Sequence, residues 1–162
     1  MIHTISVLVD NHFGVLARIS GLFSARGYNI ESLCVGITED PTVSRMTVVV
    51  QGDENVLSQI INQLNKVVEV IEVIDLTNSE HVERELVLVK IKTDTKKRTE
   101  LLEIANIFRA KVVDVSPEAT SIEATGSVDK IRAFIDMIRP FGIEELARTG
   151  SIALARSHNG KH

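Results

Sequence analysis

Apolar positions along this chain alternate between two periods, and the alternation lays out its elements. Residues 2–10, rich in β-branched side chains, read as a first strand. Val15, Leu16, Ile19, Leu22 and Phe23 then fall at i, i+1, i+4, i+7 and i+8, one face of a helix, with Arg18 and Arg26 toward water and Gly27 as its stop. A second strand spans 29–37, a Pro41-containing turn follows at 38–42, and a third strand spans 44–51. Leu57, Ile60, Ile61 and Leu64 describe a second helix, and 67–76 a fourth strand.

The order is βαββαβ, the split unit of ferredoxin-like folds. The polar segment 77–85 interrupts it and reads as a linker. A second such series follows. Residues 86–92 are a strand, and Leu101, Ile104, Ala105 and Phe108 line a helix. Strands at 111–116 and 120–125 flank Pro117, and Val128, Ile131, Ile135 and Ile138 form a helix that Pro140 ends. Two extended segments, 142–148 and 150–156, turn near Gly150, and the tail from 157 is expected to fray. The fold class is therefore α+β, with domains at 1–76 and 86–162 on either side of the linker. A unit of about eighty residues buries little surface alone, and its sheet ends in edges that must be covered. The second strand, with Ile30, Leu33, Val35 and Ile37 and few protective charges, is the expected edge, and a homodimer through it follows.

Composition narrows the chemistry. The 162 residues carry a net charge of −4. Residues 1–80 hold four basic against ten acidic side chains, while 81–162 hold fourteen against twelve, an asymmetry that fits two domains. An acidic chain with 4% aromatics is a poor nucleic-acid binder. No apolar run reaches the roughly 20 residues of a membrane span. The first residues lack a basic n-region and a cleavage site, so they read as a strand and not a leader. The single cysteine, Cys34, fits a reducing cytoplasm and reads as a small buried strand residue.

The candidate chemistry lies at residues 10–37. A strand end, the turn Asn11-His12-Phe13-Gly14 and a helix start would aim unpaired N–H groups at the turn, a seat for a small carboxylate. The Asn11 amide can accept from an ammonium and donate to a carboxylate, as an amino-acid ligand requires. The competing reading is an ordinary cap, with Asn11 or Asp10 closing the first turn and Gly14 serving only the bend. His3, His12, His81, His158 and His162 show no metal-ligand spacing, and His12 reads as a solvated turn residue. Lys96-Lys97-Arg98 reads as a solvated helix start. No nucleophile, acid–base pair or phosphate loop is legible, so neither catalytic nor metal-binding residues are expected.

Five segments carry a family resemblance: N-x-x-G-V-L-A-R-I-x-G-L-F-S-A-R-G-Y-N-I-E-S-L at 11–33, D-P-T-V-S-R-M-T at 40–47, H-V-E-R-E-L-V-L-V-K at 81–90, I-F-R-A-K-V-V-D-V at 107–115 and A-R-T-G-S-I-A-L-A-R at 147–156. Together they resemble the regulatory small subunit of acetolactate synthase (acetohydroxyacid synthase) over nearly the whole chain. The resemblance implies an N-terminal ACT domain, an amino-acid-sensing module, followed by a second ferredoxin-like domain. It implies a partner, the large catalytic subunit, carrying thiamine diphosphate, Mg²⁺ and FAD, with no cofactor in this chain. That enzyme condenses two pyruvates, or pyruvate with 2-oxobutyrate, in branched-chain amino-acid biosynthesis. The small subunit activates it and confers feedback inhibition by valine. The effector would lie at the dimer interface, between Asn11, Gly14, Val15 and Leu16 of one chain and Asn29 and Ile30 of the other. Phe13 stands where ACT domains commonly carry proline. The alternative is a stand-alone ACT-type sensor acting on another enzyme or on transcription. An RNA-binding ferredoxin-like domain is disfavoured by the lack of stacking aromatics.

Overall fold

The computed structural model describes residues 1–157. Its elements run β1 (Ile2–Asp10), α1 (Val15–Arg26), β2 (Asn29–Ile37), β3 (Val43–Gln51), α2 (Glu54–Asn65) and β4 (Val70–Asp75). They continue with β5 (His81–Lys92), α3 (Thr95–Ile107), β6 (Lys111–Val115), β7 (Ala119–Gly126), α4 (Val128–Ile138), β8 (Ile143–Arg148) and β9 (Ile152–Ala155). Both halves are ferredoxin-like, and the expected α+β class holds. The sheet paths run β2-β3-β1-β4 and β6-β7-β5-β8, the same order twice, with β9 added against β5.

In the first unit β1 and β3 pair antiparallel with Ile5 opposite Val48 and Val7 opposite Met46. The pleat sends Ile5, Val7, Val9, Met46, Val48 and Val50 to one face, where Ile19 and Phe23 of α1 and Leu57, Ile60 and Leu64 of α2 cover them. The helix starts differ. Asp53, Asp94 and Ser127 cap α2, α3 and α4 by accepting from Val56, Lys97 and Lys130 backbone N–H groups. The Lys97 N–H holds the Asp94 carboxyl below the usual carboxylate range. No side chain caps α1. At its other end Gly27 adopts φ +67°, and the Gly27 and Tyr28 N–H groups donate to the Ser24 and Phe23 carbonyls, the expected glycine stop.

The second unit repeats the scheme around Val87, Val89, Ile91, Leu101, Ile122, Ile131 and Phe134. Phe108 meets Phe134 edge-on with ring centroids 5.5 Å apart. The Lys96–Arg98 cluster opens α3 as expected, and Arg98 also donates to the Ser116 carbonyl at 2.5 Å.

Several expectations need correction. The segment 77–85, expected as a linker, is strand from His81 on, because its polar residues occupy a strand with alternating burial and not a loop. Chain contacts divide into Met1–Val82 with the segment beginning at Ser151, and Glu83–Gly150. The last strand therefore groups with the first unit, where the Ser151 N–H donates to the Ser32 hydroxyl at 2.9 Å and the Arg156 N–H to the Glu80 carbonyl. Cys34 is only partly buried, as befits a strand at the sheet's edge. The fraying expected of the tail falls, apart from Ser157, outside the described residues, as do His158 and His162. Among the described residues no helix is long and apolar enough to cross a membrane, and no His, Cys, Asp and Glu group has metal-binding geometry.

Candidate functional site

β1 ends at Asp10, opposite Val43 of β3, and the chain must then turn into α1 within four residues. Gly14 makes that turn at φ +87°, ψ −11°, a left-handed conformation costly for residues with a Cβ. A Cβ built on it would meet no atom within 4 Å, so the space over the helix start is open. The Asn11 side-chain amide donates to the Pro41 carbonyl at 2.9 Å, and the Asn11 N–H donates to the Thr42 carbonyl at 2.7 Å. Asn11 therefore ties the β1–α1 turn to the β2–β3 turn and does not cap α1. The ordinary-cap reading fails on this point: neither Asn11 nor Asp10 closes the first helical turn.

The β2–β3 turn is itself braced. The Thr42 N–H and hydroxyl donate to Asp40 Oδ1 at 3.0 and 2.7 Å, and the backbone bond above all holds the Asp40 carboxyl below the usual carboxylate range. His12 is solvated, with Nε2 4.0 Å from Asp10 Oδ2. Phe13 is fully exposed beside it.

The remaining expected residues divide. Val15 is buried in the core, whereas Leu16, expected on the same apolar face, is 48% exposed beside the turn. Ile30 packs partly against the core, and the Asn29 amide donates to Glu31 Oε1 at 2.7 Å. Within one chain these two groups stand apart. Asp10 pairs with Val43 and Asn29 with Gln51, the opposite ends of β3. Eight steps of about 3.3 Å each separate them by roughly 26 Å. One chain alone supplies Asn11, Gly14 and Leu16 at one end of its sheet and Asn29 and Ile30 at the other.

Sequence reasoning missed two groups. Arg18 faces solvent as expected, but its guanidinium also donates to the Glu69 carboxylate, and the Glu69 carbonyl accepts from the Asp10 N–H. Glu69 is 9% exposed and its Oε2 has no hydrogen-bond partner. The pairing joins residues 51 positions apart, so no local signal marks it. Glu85, assigned to the linker, is a buried strand residue of the second unit. Its signal was legible: Glu85, Val87, Val89 and Ile91 share one face at period two.

Two copies of the βαββαβ unit, the first with an uncapped helix start beside a glycine turn, place the protein among two-domain ferredoxin-like proteins. Comparison with known proteins narrows the class to one with an ACT module. Residues 5–72 match the family model described as "AHAS small subunit-like ACT domain", and residues 84–157 match that of the "small subunit of acetolactate synthase". The chain is 55% identical to the probable acetolactate synthase small subunit of Archaeoglobus fulgidus, across 98% of this chain and 99% of that protein. It is 48% identical to the acetolactate synthase small subunit of Mycobacterium bovis, across 98% and 94%. The crystal structure of the Thermotoga maritima small subunit superposes with a TM-score of 0.89 at 40% identity, covering 97% of this chain and 98% of that one. The chain belongs to the acetolactate synthase small-subunit family.

Proposed function

We propose that this chain is a homodimeric, non-catalytic regulator that activates a thiamine-diphosphate-dependent acetolactate synthase large subunit and transmits feedback inhibition by valine. The observation that carries the proposal is the uncapped start of α1 at Gly14, open to solvent, on a loop held by Asn11. The first-turn N–H groups and the helix dipole favour a carboxylate there by ~0.3–1 kcal/mol beyond its hydrogen bonds.

The second wall comes from a second copy. β2 is the edge of its sheet and exposes Val35 and Ile37. If two β2 strands pair antiparallel about a two-fold axis, Asn29 of one chain comes opposite the Ile37 end of the other, beside its Asn11–Gly14 turn. Val35 and Ile37 leave water in the same step. Asn29 and Ile30 then close the seat, Leu16 receives part of the isopropyl group, and Val15 contributes its backbone while its side chain stays in the core. Thiamine diphosphate, Mg²⁺ and FAD belong to the large subunit, and both proteins act in the cytoplasm. An effector held by two chains binds only the dimer and so stabilises it. Coupling to the enzyme needs a differential contact between two states, typically ~1–3 kcal/mol.

Calorimetry with L-valine on the native chain and on Gly14→Asp tests the seat. The new carboxylate occupies the effector's position, and binding should weaken at least a hundredfold; equal affinity defeats the proposal. Asn29→Ala should abolish feedback inhibition while activation of an added large subunit survives. Absence of any activation would favour the stand-alone sensor instead.

A further inference from the structure

The second unit contains a half-open cavity of about 130 Å³ between α4 and the β5–β8 pair, and one of its walls is a carboxylate with one oxygen lacking a hydrogen bond. Glu85 is 6% exposed, and its Oε1 is buried. The Arg148 Nε pairs with it as an ion at 3.5 Å but makes no hydrogen bond to it. A buried carboxylate oxygen without a donor is costly, so the site is set to accept one. Glu85 sits opposite Gly126 in the β5–β7 register, next to the start of α4, whose partial positive charge suits an anionic side chain there.

The rest of the lining defines what would supply the donor. Arg132 projects from α4 and Arg139 from the turn just after it, each in a loose pair with exposed Asp129 or Asp136, at 3.8 and 3.6 Å. Such surface pairs are weak, which leaves both guanidinium groups available to a carboxylate. Val128, Ile131 and Ile135 supply an apolar wall on the same helix. A simple anion would face the carboxylates of Glu85 and Asp136, and a simple cation would face three arginines. A molecule bearing both an ammonium and a carboxylate on a short apolar body meets both sets of charges and the apolar wall. The cavity's volume of about 130 Å³ suits a molecule of a few heavy atoms.

We propose that the Glu85–α4 cavity is a second binding site, for a small aliphatic α-amino acid, with Glu85 accepting from its ammonium and Arg132 and Arg139 holding its carboxylate. The site lies wholly within the second unit and does not depend on the Gly14 seat.

Backbone NMR of the full chain, titrated with L-alanine and L-valine, tests this. Amides at Glu85 and along Val128–Ile138 should shift, and the same shifts should persist in Gly14→Asp. Isobutylamine, which lacks the carboxylate, and isovalerate, which lacks the ammonium, should bind at least tenfold more weakly. Glu85→Gln, which keeps shape and core packing, and Arg132→Gln, at an exposed position, should each weaken binding at least tenfold. The proposal is overturned if no shift occurs there at tens of millimolar, if isobutylamine, isovalerate or inorganic phosphate binds as well as the amino acids, or if either variant binds normally. Shifts at residues 11–16 report separately on the first seat, so each site can fail alone.

Discussion

The Asn11 side-chain amide donates to the Pro41 carbonyl at 2.9 Å, joining two turns that are 30 residues apart in the chain. Around this bond the Asn11 N–H reaches Thr42 and the Asp10 N–H reaches Glu69. The glycine turn is thereby positioned from three directions, while the helix start that it presents stays uncapped. A loop built this way is rigid at its base and open at its tip, which suits a seat for a small anion.

Removing the tether should loosen the seat more than the fold. Asn11→Ala deletes one exposed hydrogen bond, expected to lower stability by about 0.5–1 kcal/mol. Valine affinity should fall about tenfold, or ~1.4 kcal/mol. Asn11→Asp, which cannot donate to Pro41, should do the same. Calorimetry alongside urea melts separates the two effects, and unchanged affinity in both variants would exclude a role for this bond.

Arg18 and Glu69 should behave as a unit. Arg18→Ala leaves a carboxylate that is 9% exposed without its partner, and should cost about 1–3 kcal/mol. Adding Glu69→Gln removes the stranded charge, so the double variant should be more stable than the sum of the two single effects by at least ~0.5 kcal/mol. Additive melting would show that the pair is not coupled.

Acid should act on the β2–β3 turn through Asp40. Its carboxyl in the folded chain is held below the usual range, chiefly by the Thr42 N–H and then by the Thr42 hydroxyl. A depressed folded value stabilises the fold above the unfolded value and loses that contribution as pH falls through the folded one. The loss should therefore begin near pH 4 and continue downward. Urea midpoints of the native chain and Asp40→Asn should converge over that interval; parallel curves would remove Asp40 from the account.

The core of the second unit should depend heavily on Phe134. It is fully buried against Phe108, and Phe134→Ala should cost about 3–5 kcal/mol. Met137, on the same helix but 50% exposed, should tolerate Ala within about 0.5 kcal/mol. Thermal melts compare them directly, and similar losses would contradict the assigned helix face.

Much of this protein could be read from its residue pattern. Period two at Ile5, Val7 and Val9 and period 3.6 at Ile19, Phe23, Ile131 and Ile135 reflect local geometry, so strands, helices, fold class and the Gly14 turn follow from near neighbours in the chain. Leu16 shows the limit, because its helical phase says core while the sheet beneath leaves it exposed. Glu85 shows another: its strand phase was visible, but only folding could reveal a buried oxygen without a donor. Asn11 with Pro41, Arg18 with Glu69 and the last strand's return to the first unit join residues far apart in sequence. Such contacts are decided by how the sheets close, because periodicity records which face a residue takes and not which distant residue it will meet there.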